Sequence, residues 1–329
     1  MSSKRIYALS VGVNNYNHLA TLSCAKNDAE DFAATLRKGL IQPEIKLLLN
    51  AAATKKAIVK ELAWLADNAD GGDTAILFFS GHGGRQSSQT DDLAFLCPVE
   101  ASFLDPEQTC LTNDELSASL RAIRSERLVV LLDTCYSGGM GQTRRRGTEI
   151  PIGLTSHDVG ALINGSGRMI LAASCPEEPA WELNGMHNGL FTSYLLRALS
   201  GDVARADGSI WASDIFSYVS KGVRQHGCQR PYQHTVGEDF VIMVQHSGTR
   251  PAPLTTGDQR ALRVAMRRVY NRPELSLLCR DLGLRIEDLP GMTFETQLMD
   301  LIDYCRRHGQ YGSLLERIRI DRPQLTLDV

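Results

Sequence analysis

The sequence lacks the features that mark secreted, membrane-spanning and metal-binding proteins. Its eight cysteines are scattered singly, with no CxxC pair and no close Cys/His spacing, so neither a disulfide framework nor a zinc site is indicated. No apolar run is long enough to span a membrane, and the amino terminus has no signal-peptide hydrophobic region. We therefore expect a cytoplasmic protein with reduced thiols, and we predict no bound cofactor.

The chain also carries little net charge. A formal charge of −3 gives no global attraction to nucleic acid or to an anionic membrane, so neither is predicted as a partner. Its 329 residues, of which 43% are hydrophobic, are enough for one large or two ordinary domains with a sizeable core.

Apolar runs alternate with amphipathic segments over the first three quarters of the chain. This order is typical of an α/β domain with a mostly parallel sheet flanked by helices. The predicted strands are Ile6–Val13, Ile45–Leu49, Thr74–Ser80, Arg127–Asp133, Arg168–Ser174 and a closing strand, Glu238–Val244. The predicted helices are Ala25–Leu40, Thr54–Ala69, Thr112–Ile123, Leu190–Leu199 and Trp211–Gln225. Residues 85–92 are predicted as an exposed loop, and residues 93–98 as a short ribbon.

The pattern changes near residue 246. Residues 247–257 are rich in proline, glycine, serine and threonine, which predicts a linker. Residues 258–329 contain short amphipathic segments, with Leu262, Met266 and Val269 on one face of the first. We predict an α/β domain over residues 1–246 and a helical domain of four or five short helices over residues 258–329.

Two of the predicted strands end in small residues that include a chemically active side chain. Thr74–Ser80 is followed by a glycine-flanked histidine, His82, and the strand from Arg127 is followed by Cys135. Carboxyl ends of parallel strands meet at one edge, where ligands bind in open α/β sheets. A cysteine nucleophile needs a base and donors for an oxyanion, which these glycine-rich turns can supply. The alternatives are that Cys135 is a buried apolar residue and His82 a loop histidine bonded to the backbone.

These motifs resemble those of a known peptidase family. Ser80–Gly84 and Asp133–Gly139 are similar to the His and Cys motifs of the caspase-like cysteine peptidases (peptidase family C14), metacaspase branch. Further landmarks of that family are Val11–Tyr16, Asn27–Ala29, Ala172–Ser174, Gly189–Thr192 and Gln229–Pro231. The resemblance covers residues 4–245 and implies the caspase-haemoglobinase fold and a thiol protease of clan CD. The Gln-Ala-Cys signature of animal caspases is absent, so their preference for aspartate is not transferred.

The resemblance assigns roles to the two strand ends. It implies that Cys135 is the nucleophile and that His82 is the base that later protonates the leaving amine. The backbone N–H groups of Gly83 and Cys135 would form the oxyanion hole. No third side chain is assignable to orient His82, and a backbone carbonyl would serve instead.

The resemblance also implies an acidic pocket for the residue before the cut. Its positions are matched by Asp28, Asp133 and Glu177, with Glu178 or Glu182 as alternatives for the last. A guanidinium between carboxylates gains bidentate, charge-assisted bonds, so arginine should be preferred to lysine. The alternative is that Asp28 is only a first-turn helix residue and Asp133 a structural acceptor.

The same resemblance raises two questions of regulation, self-cleavage and activation by calcium. Arg144, Arg145 and Arg146 lie in a glycine-rich loop after the nucleophile and are a candidate self-cleavage site, although such a run can also be a solvated loop. Calcium activates many metacaspases, but Asp91 and Asp92 alone do not specify a site, and no metal is predicted.

The helical domain resembles the effector-associated, death-fold-like domains of prokaryotic conflict systems. The similar residues are Leu277–Leu284, Ile286–Leu289 and Leu298–Tyr304 with His308 and Gly309. This implies binding to a partner protein with a matching domain, in a bacterial antiviral defence or regulated cell-death pathway. The alternative is a helical appendage that only adds stability.

Two other functions remain open. The chain could be a catalytically silent adaptor that uses the caspase fold for assembly, or a thiol hydrolase acting on a small molecule. The intact His82/Cys135 pair disfavours the first, and the extended landmarks disfavour the second.

Overall fold

The computed structural model describes residues 5–40, 43–87, 92–136, 167–173, 187–224, 231–244, 259–307 and 310–322. These residues form two compact units, one before and one after the interval 245–258. The predicted linker lies in that interval, outside the described residues, so its bounds stay a prediction.

The first unit is built on an eight-stranded sheet. Its strands are β1 (Ile6–Gly12), β2 (Glu44–Leu49), β3 (Thr74–Ser87), β4 (Asp92–Leu96), β5 (Leu111–Thr112), β6 (Arg127–Tyr136), β7 (Gly167–Ala172) and β9 (Tyr232–Gly237). The order is β2-β1-β3-β6-β7-β9, in which the first five strands are parallel and β9 is antiparallel. The predicted mostly parallel sheet is confirmed.

Helices cover both faces of this sheet. They are α1 (Ala25–Gly39), α2 (Lys55–Asn68), α3 (Pro106–Thr109), α4 (Asn113–Ala122), α5 (Leu190–Arg197) and α6 (Ala212–Arg224). Leu77 of β3 packs in one apolar cluster with Leu62 of α2 and Leu120 of α4. Its neighbour Phe78 points to the other face and stacks on Phe32 of α1, with ring centroids 4.5 Å apart. This alternation along buried strands produces a three-layer fold.

The two strands of the site are longer than predicted. β6 runs past Asp133 to Tyr136, and the glycines expected to form the turn after Cys135 lie outside the described residues. β3 runs past Ser80 to Ser87, so the glycine-rich turn expected around His82 is strand. The reason is β4, which pairs antiparallel with Gly83–Ser87 and supplies the hydrogen bonds that extend β3. The prediction of an exposed loop over residues 85–92 was therefore wrong for Arg85–Ser87, while the ribbon beginning near residue 93 is confirmed as β4.

The predicted closing strand, Glu238–Val244, does not belong to the main sheet. Val241–Val244 is β10, and it pairs antiparallel with β8 (Ser209–Trp211) in a separate two-stranded sheet. The edge position of the main sheet is occupied by β9, which pairs with β7 from Gly167 opposite Gly237 to Ala172 opposite Tyr232.

Close packing of β1 against α1 gives a stability prediction. A Cβ on Gly12 would overlap the carbonyl oxygen of Ala25, a backbone atom that cannot rotate away. We expect Gly12→Ala to lower the free energy of unfolding, measured by urea titration, by about 3 kcal/mol. Gly72→Ala is the matched control because nothing lies within 4 Å of its added Cβ. Equal stability of the two variants would contradict this packing.

The second unit is a small helical bundle. It contains α7 (Gln259–Val269), α8 (Arg272–Asp281), a 3₁₀ turn (Ile286–Asp288), α9 (Phe294–Arg307) and α10 (Tyr311–Asp321). One apolar core unites them, with Leu262, Leu278, Leu298 and Leu314 fully buried. Among the described residues, no helix of either unit is long and apolar enough to cross a membrane.

Candidate active site

The sheet register places His82 and Cys135 side by side. β3 and β6 are parallel neighbours, and their pairing puts Ser80 opposite Asp133 and His82 opposite Cys135. Adjacent strands lie about 4.8 Å apart, so these two positions are neighbours across the sheet. For Cys135 the structure describes main-chain pairing alone. The predicted meeting of the two residues at one strand edge is thus consistent with the register.

His82 is held by two groups from the segment after β1. Its side chain is buried, with 6% exposure, and Nε2 lies 2.8 Å from the carbonyl oxygen of Ala20. A carbonyl oxygen can only accept, so Nε2 carries the proton and Nδ1 is left with the lone pair in the neutral ring. A backbone carbonyl therefore takes the orienting position for which no side chain was assignable.

Tyr16 is the second group that holds His82. The backbone N–H of His82 donates to Tyr16 Oη at 2.7 Å, and the two rings lie 4.8 Å apart between centroids. Gly81 allows this approach, because a Cβ there would lie 2.6 Å from the same hydroxyl oxygen. Burial raises the pKa of Tyr16, which keeps the phenol neutral.

The contact predicts that Tyr16→Phe lowers kcat/KM. Loss of the hydroxyl leaves the buried N–H of His82 without this acceptor, at a cost of about 1–3 kcal/mol. We expect kcat/KM for the best peptide to fall by about tenfold or more, while circular dichroism stays unchanged. Tyr7→Phe, on the same sheet away from His82, is the control. Wild-type kinetics in Tyr16→Phe would show that the hydroxyl does not position His82.

Two of the three predicted acidic residues, Asp28 and Asp133, lie close together. A Cβ on Gly189 would lie 3.0 Å from Asp133 Oδ2 and 3.3 Å from Asp28 Oδ2, so both carboxylates border the same point at the start of α5. Asp28 Oδ2 accepts from Ser80 Oγ at 2.9 Å, and its Oδ1 accepts from the Gly189 N–H at 2.9 Å. Thr192 Oγ1 donates to Asp133 Oδ2 at 2.6 Å.

The two carboxyl groups of this pair differ in how deeply they are buried. Asp28 is buried, with 2% exposure, while Asp133 is partly exposed. Burial, together with the nearby charge of Asp133, raises the pKa of Asp28 well above its ordinary range. Asp28 therefore retains its proton to higher pH than an ordinary carboxyl group does.

A second carboxylate of α1 positions the chain that leads into Gly189. Asp31 Oδ2 accepts from Asn188 Nδ2 at 3.0 Å and lies 2.9 Å from His187 Nε2. Asn27 Nδ2 donates to the His187 carbonyl at 3.0 Å. One face of α1 thus fixes residues 187–189 beside the acidic pair.

Of the remaining predicted residues, the structure describes Gly83 and Asp92. Outside the described residues lie Asp91, Arg144, Arg145, Arg146, Glu177, Glu178 and Glu182. Gly83 lies in β3, opposite Tyr136 of β6. Within the described part of the chain, no group of three or more His, Cys, Asp or Glu residues could hold a metal ion.

Sequence reasoning missed the groups that support the site. Tyr16, Gly189 and Thr192 were noted only as landmarks of the resemblance, and Ala20 had no signal at all. Ser80 was part of the His motif without a role. Their contacts depend on how loops fold over the sheet, which strand and helix periodicity does not encode.

Each of the two units matches the model of a known domain family. The caspase domain family matches residues 5–241, and effector-associated domain 7 matches residues 262–323. The chain belongs to the caspase domain family. The first match spans most of the first unit, and the second spans most of the helical unit, so this caspase-domain protein also carries a carboxyl-terminal effector-associated domain.

Curated relatives of this caspase domain are metacaspases. Metacaspase-3 of Trypanosoma cruzi (strain CL Brener) is 32% identical over 146 residues, which cover 40% of each chain. Metacaspase-4 of Arabidopsis thaliana is 27% identical over 144 residues, 40% of this chain and 34% of the relative. A protein named inactive metacaspase-4 of Trypanosoma brucei brucei is also 27% identical, over 148 residues covering 41% of each chain. The caspase-domain chain thus spans about two fifths of the relatives that it matches.

The fold has a counterpart among solved structures. A protein from Geobacter sulfurreducens superposes with a TM-score of 0.51 at 20% identity, over 74% of this chain and 98% of that one. At this identity the likeness concerns the fold of the caspase domain.

Proposed function

We propose that this caspase-domain protein is a cysteine endopeptidase that uses His82 and Cys135. The observation that carries the proposal is the parallel register of β3 and β6, which pairs these two residues directly. A thiol beside a base is the arrangement that nucleophilic catalysis by cysteine requires. Family membership supports the same reaction class.

The proposed reaction begins with proton transfer from Cys135 to Nδ1 of His82. The thiolate attacks the scissile carbonyl, and the N–H groups of Gly83 and Cys135 stabilise the oxyanion. Protonated His82 then gives its proton to the leaving amine, and water hydrolyses the acyl-enzyme. The hydrogen bond from Nε2 to the Ala20 carbonyl keeps the ring in the orientation and tautomer that these transfers need.

We further propose that the substrate has arginine, or less favourably lysine, before the cut. Asp133 is the more exposed carboxylate and would contact the guanidinium, while buried Asp28 would add charge behind it. The convergence of both groups beside Gly189 supports an acidic pocket over two unrelated structural acceptors. Glu177, or in its place Glu178 or Glu182, would complete the pocket.

The raised pKa of Asp28 gives a pH prediction. As pH rises through that pKa, Asp28 gains negative charge, so binding of a cationic side chain strengthens while binding of a neutral one does not. We expect the ratio of kcat/KM for an arginine peptide to that for its citrulline analogue to rise with pH. Cleavage of both substrates depends equally on the protonation states of His82 and Cys135, so this dependence cancels in the ratio.

Asp28→Asn tests this assignment because it keeps an acceptor for the Gly189 N–H and a polar group for Ser80. We expect its arginine-to-citrulline ratio to be lower and flat with pH. A wild-type ratio that is already flat, or a slope that survives in Asp28→Asn, would assign the titration to another group.

The helical unit suggests how the peptidase is directed. We propose that its effector-associated domain binds a matching domain on a partner protein, in a cytoplasmic bacterial defence or regulated cell-death pathway. A separate proposal concerns the run from Arg144 to Arg146, which would be cut by the enzyme itself. Purified Cys135→Ala protein that is still clipped at this run would refute self-processing.

An inactive adaptor remains the second candidate, because one relative at 27% identity is itself named inactive. Peptides with Arg, Lys, Asp or Leu before the cut, assayed on wild type and Cys135→Ala with and without calcium, separate the two functions. Cleavage after Arg that depends on Cys135 supports the peptidase. The absence of any Cys135-dependent cleavage would favour the adaptor.

A further inference from the structure

A buried cysteine, Cys97, directly follows β4 and lies opposite His82 of β3. The antiparallel pairing of β3 with β4 places Gly83 opposite Leu96. The backbone N–H of Cys97 donates to the carbonyl oxygen of His82 at 3.0 Å, which continues this ladder by one residue. The main chain of Cys97 is therefore attached directly to that of His82.

A second cysteine, Cys110, directly precedes β5 and lies opposite Cys97. β4 and β5 are antiparallel with Leu96 opposite Leu111, so Cys97 and Cys110 fall opposite each other. Their N–H groups are used elsewhere, Cys97 by His82 and Cys110 by the carbonyl of Pro106 at 2.9 Å. Opposed antiparallel residues that exchange no N–H···O bonds have Cα atoms about 4.5 Å apart. A disulfide requires about 4.4–6.8 Å.

The surroundings of the two thiols are apolar. Cys97 and Cys110 are fully buried in one cluster with Phe95 and Ala101, and Tyr16 packs against this cluster. The thiols are hydrogen-bonded to each other, which raises the pKa of Cys97 and lowers the pKa of Cys110. One thiol of the pair can therefore ionise while the other donates a hydrogen bond to it.

We propose that Cys97 and Cys110 form a dithiol that is oxidised to a cross-strand disulfide, and that this oxidation lowers the activity of the neighbouring His82/Cys135 pair. The effect on activity rests on the proposed peptidase function. The disulfide itself does not, because it rests on the pairing of β4 with β5 and on the contact between the two thiols.

A hydroperoxide is the class of oxidant that the chemistry needs. Because both thiols are fully buried, the peroxide reaches them only when the short β4–β5 edge opens locally. One thiolate of the pair then attacks the O–O bond and becomes a sulfenic acid, and the rest of the peroxide leaves as an alcohol after protonation. The other cysteine attacks the sulfenic sulfur, which forms the S–S bond and releases water. Two electrons pass from the thiols to the peroxide. A disulfide such as oxidised glutathione accomplishes the same change by exchange, with two thiols as products.

The contact between Cys97 and His82 transmits the change. A sulfur–sulfur bond is shorter than any nonbonded sulfur contact, so its formation draws the Cys97 segment toward β5. The His82 carbonyl accepts a hydrogen bond from the Cys97 N–H. Tyr16 packs against both the His82 ring and the cysteine cluster. A displacement of His82 relative to β6 by about 1 Å can reduce the rate by up to about a hundredfold, so a smaller shift is sufficient for a loss of about tenfold.

The disulfide is tested first in a protein without the proposed nucleophile. Full-length Cys135→Ala is equilibrated in glutathione buffers of stepped oxidised-to-reduced ratio, alkylated, and digested without reductant for mass spectrometry. We expect a cross-linked peptide pair joining Cys97 to Cys110, two hydrogen atoms lighter than its reduced parts, with a yield that rises with the ratio. No such link at any ratio, or only glutathione adducts, would overturn the proposal.

The effect on activity is measured in the same buffers with intact Cys135. We expect oxidation to reduce kcat/KM of the wild type by about tenfold more than that of Cys97→Ala or Cys110→Ala, with full recovery in dithiothreitol. Equal losses in all three would assign the effect to Cys135 and refute the coupling. If the reduced wild type cuts no peptide, the proposed function fails, while the mass measurement still decides whether the disulfide forms.

Discussion

Cys135→Ala is expected to reduce kcat/KM for an arginine peptide by at least about a thousandfold. Alanine cannot form the acyl-enzyme, and the remaining oxyanion donors and binding contacts supply only residual catalysis. His82→Ala should produce a loss of similar size, and the double variant should be no slower than the worse single variant. Such non-additivity is the kinetic signature of two groups that act as a unit.

The control for this prediction is Cys279→Ala, which removes a buried thiol in the helical unit. We expect its kcat/KM to remain within about threefold of wild type. Thermal unfolding of all variants separates loss of chemistry from loss of fold. Cys135→Ala with activity within tenfold of wild type would show that another group is the nucleophile.

Asp133→Asn is expected to reduce kcat/KM for arginine peptides by roughly ten- to hundredfold, with little change for the citrulline analogue. The substitution preserves an oxygen acceptor for Thr192, so the start of α5 stays in place. It removes the charge that a guanidinium would bind, and a charge-assisted bond to a partly buried group contributes about 1.5–3 kcal/mol. Loss of such a bond corresponds to roughly a ten- to hundredfold change in selectivity.

Asp31→Asn is the matched control for the acidic pair. Asp31 also lies on α1, but it contacts His187 and Asn188, and the Asn side chain keeps an oxygen acceptor for Asn188, so residues 187–189 stay in place. We expect its ratio of arginine to citrulline cleavage to stay close to that of wild type. If Asp133→Asn leaves the ratio unchanged, or if Asp31→Asn lowers it equally, the carboxylates beside Gly189 do not form the specificity pocket.

The sequence predicted the central sheet well because buried parallel strands have a plain signal. The runs beginning at Thr74 and Arg127 are apolar on both faces, and such strands require helices on either side. Glycine is disfavoured in isolated strands, so the glycine-rich segments that follow both runs favour turns. In the structure β6 pairs with Gly81 and β4 pairs with Gly83 and Gly84, and this tertiary pairing overrides local preference.

The support of His82 could not be predicted in the same way. Its partners Tyr16 and Ala20 come from an irregular segment whose course follows no period. The acidic pair was found because Asp28 and Asp133 matched positions of a family motif, not because periodicity brings α1 and β6 together. The edge strand β9 was missed since its sequence, Tyr232–Gly237, has no continuous apolar run.

The central claim is that Cys135 is a nucleophile beside a pocket for arginine, and covalent labelling tests it most directly. A short peptide ending in an arginine acyloxymethyl ketone is incubated with the full-length protein, and the modified residue is identified by mass spectrometry. We expect one label, on Cys135 among the eight cysteines, formed much more slowly in His82→Ala and with an aspartate reagent. A label on any other cysteine, or equal labelling by the aspartate reagent, would contradict it.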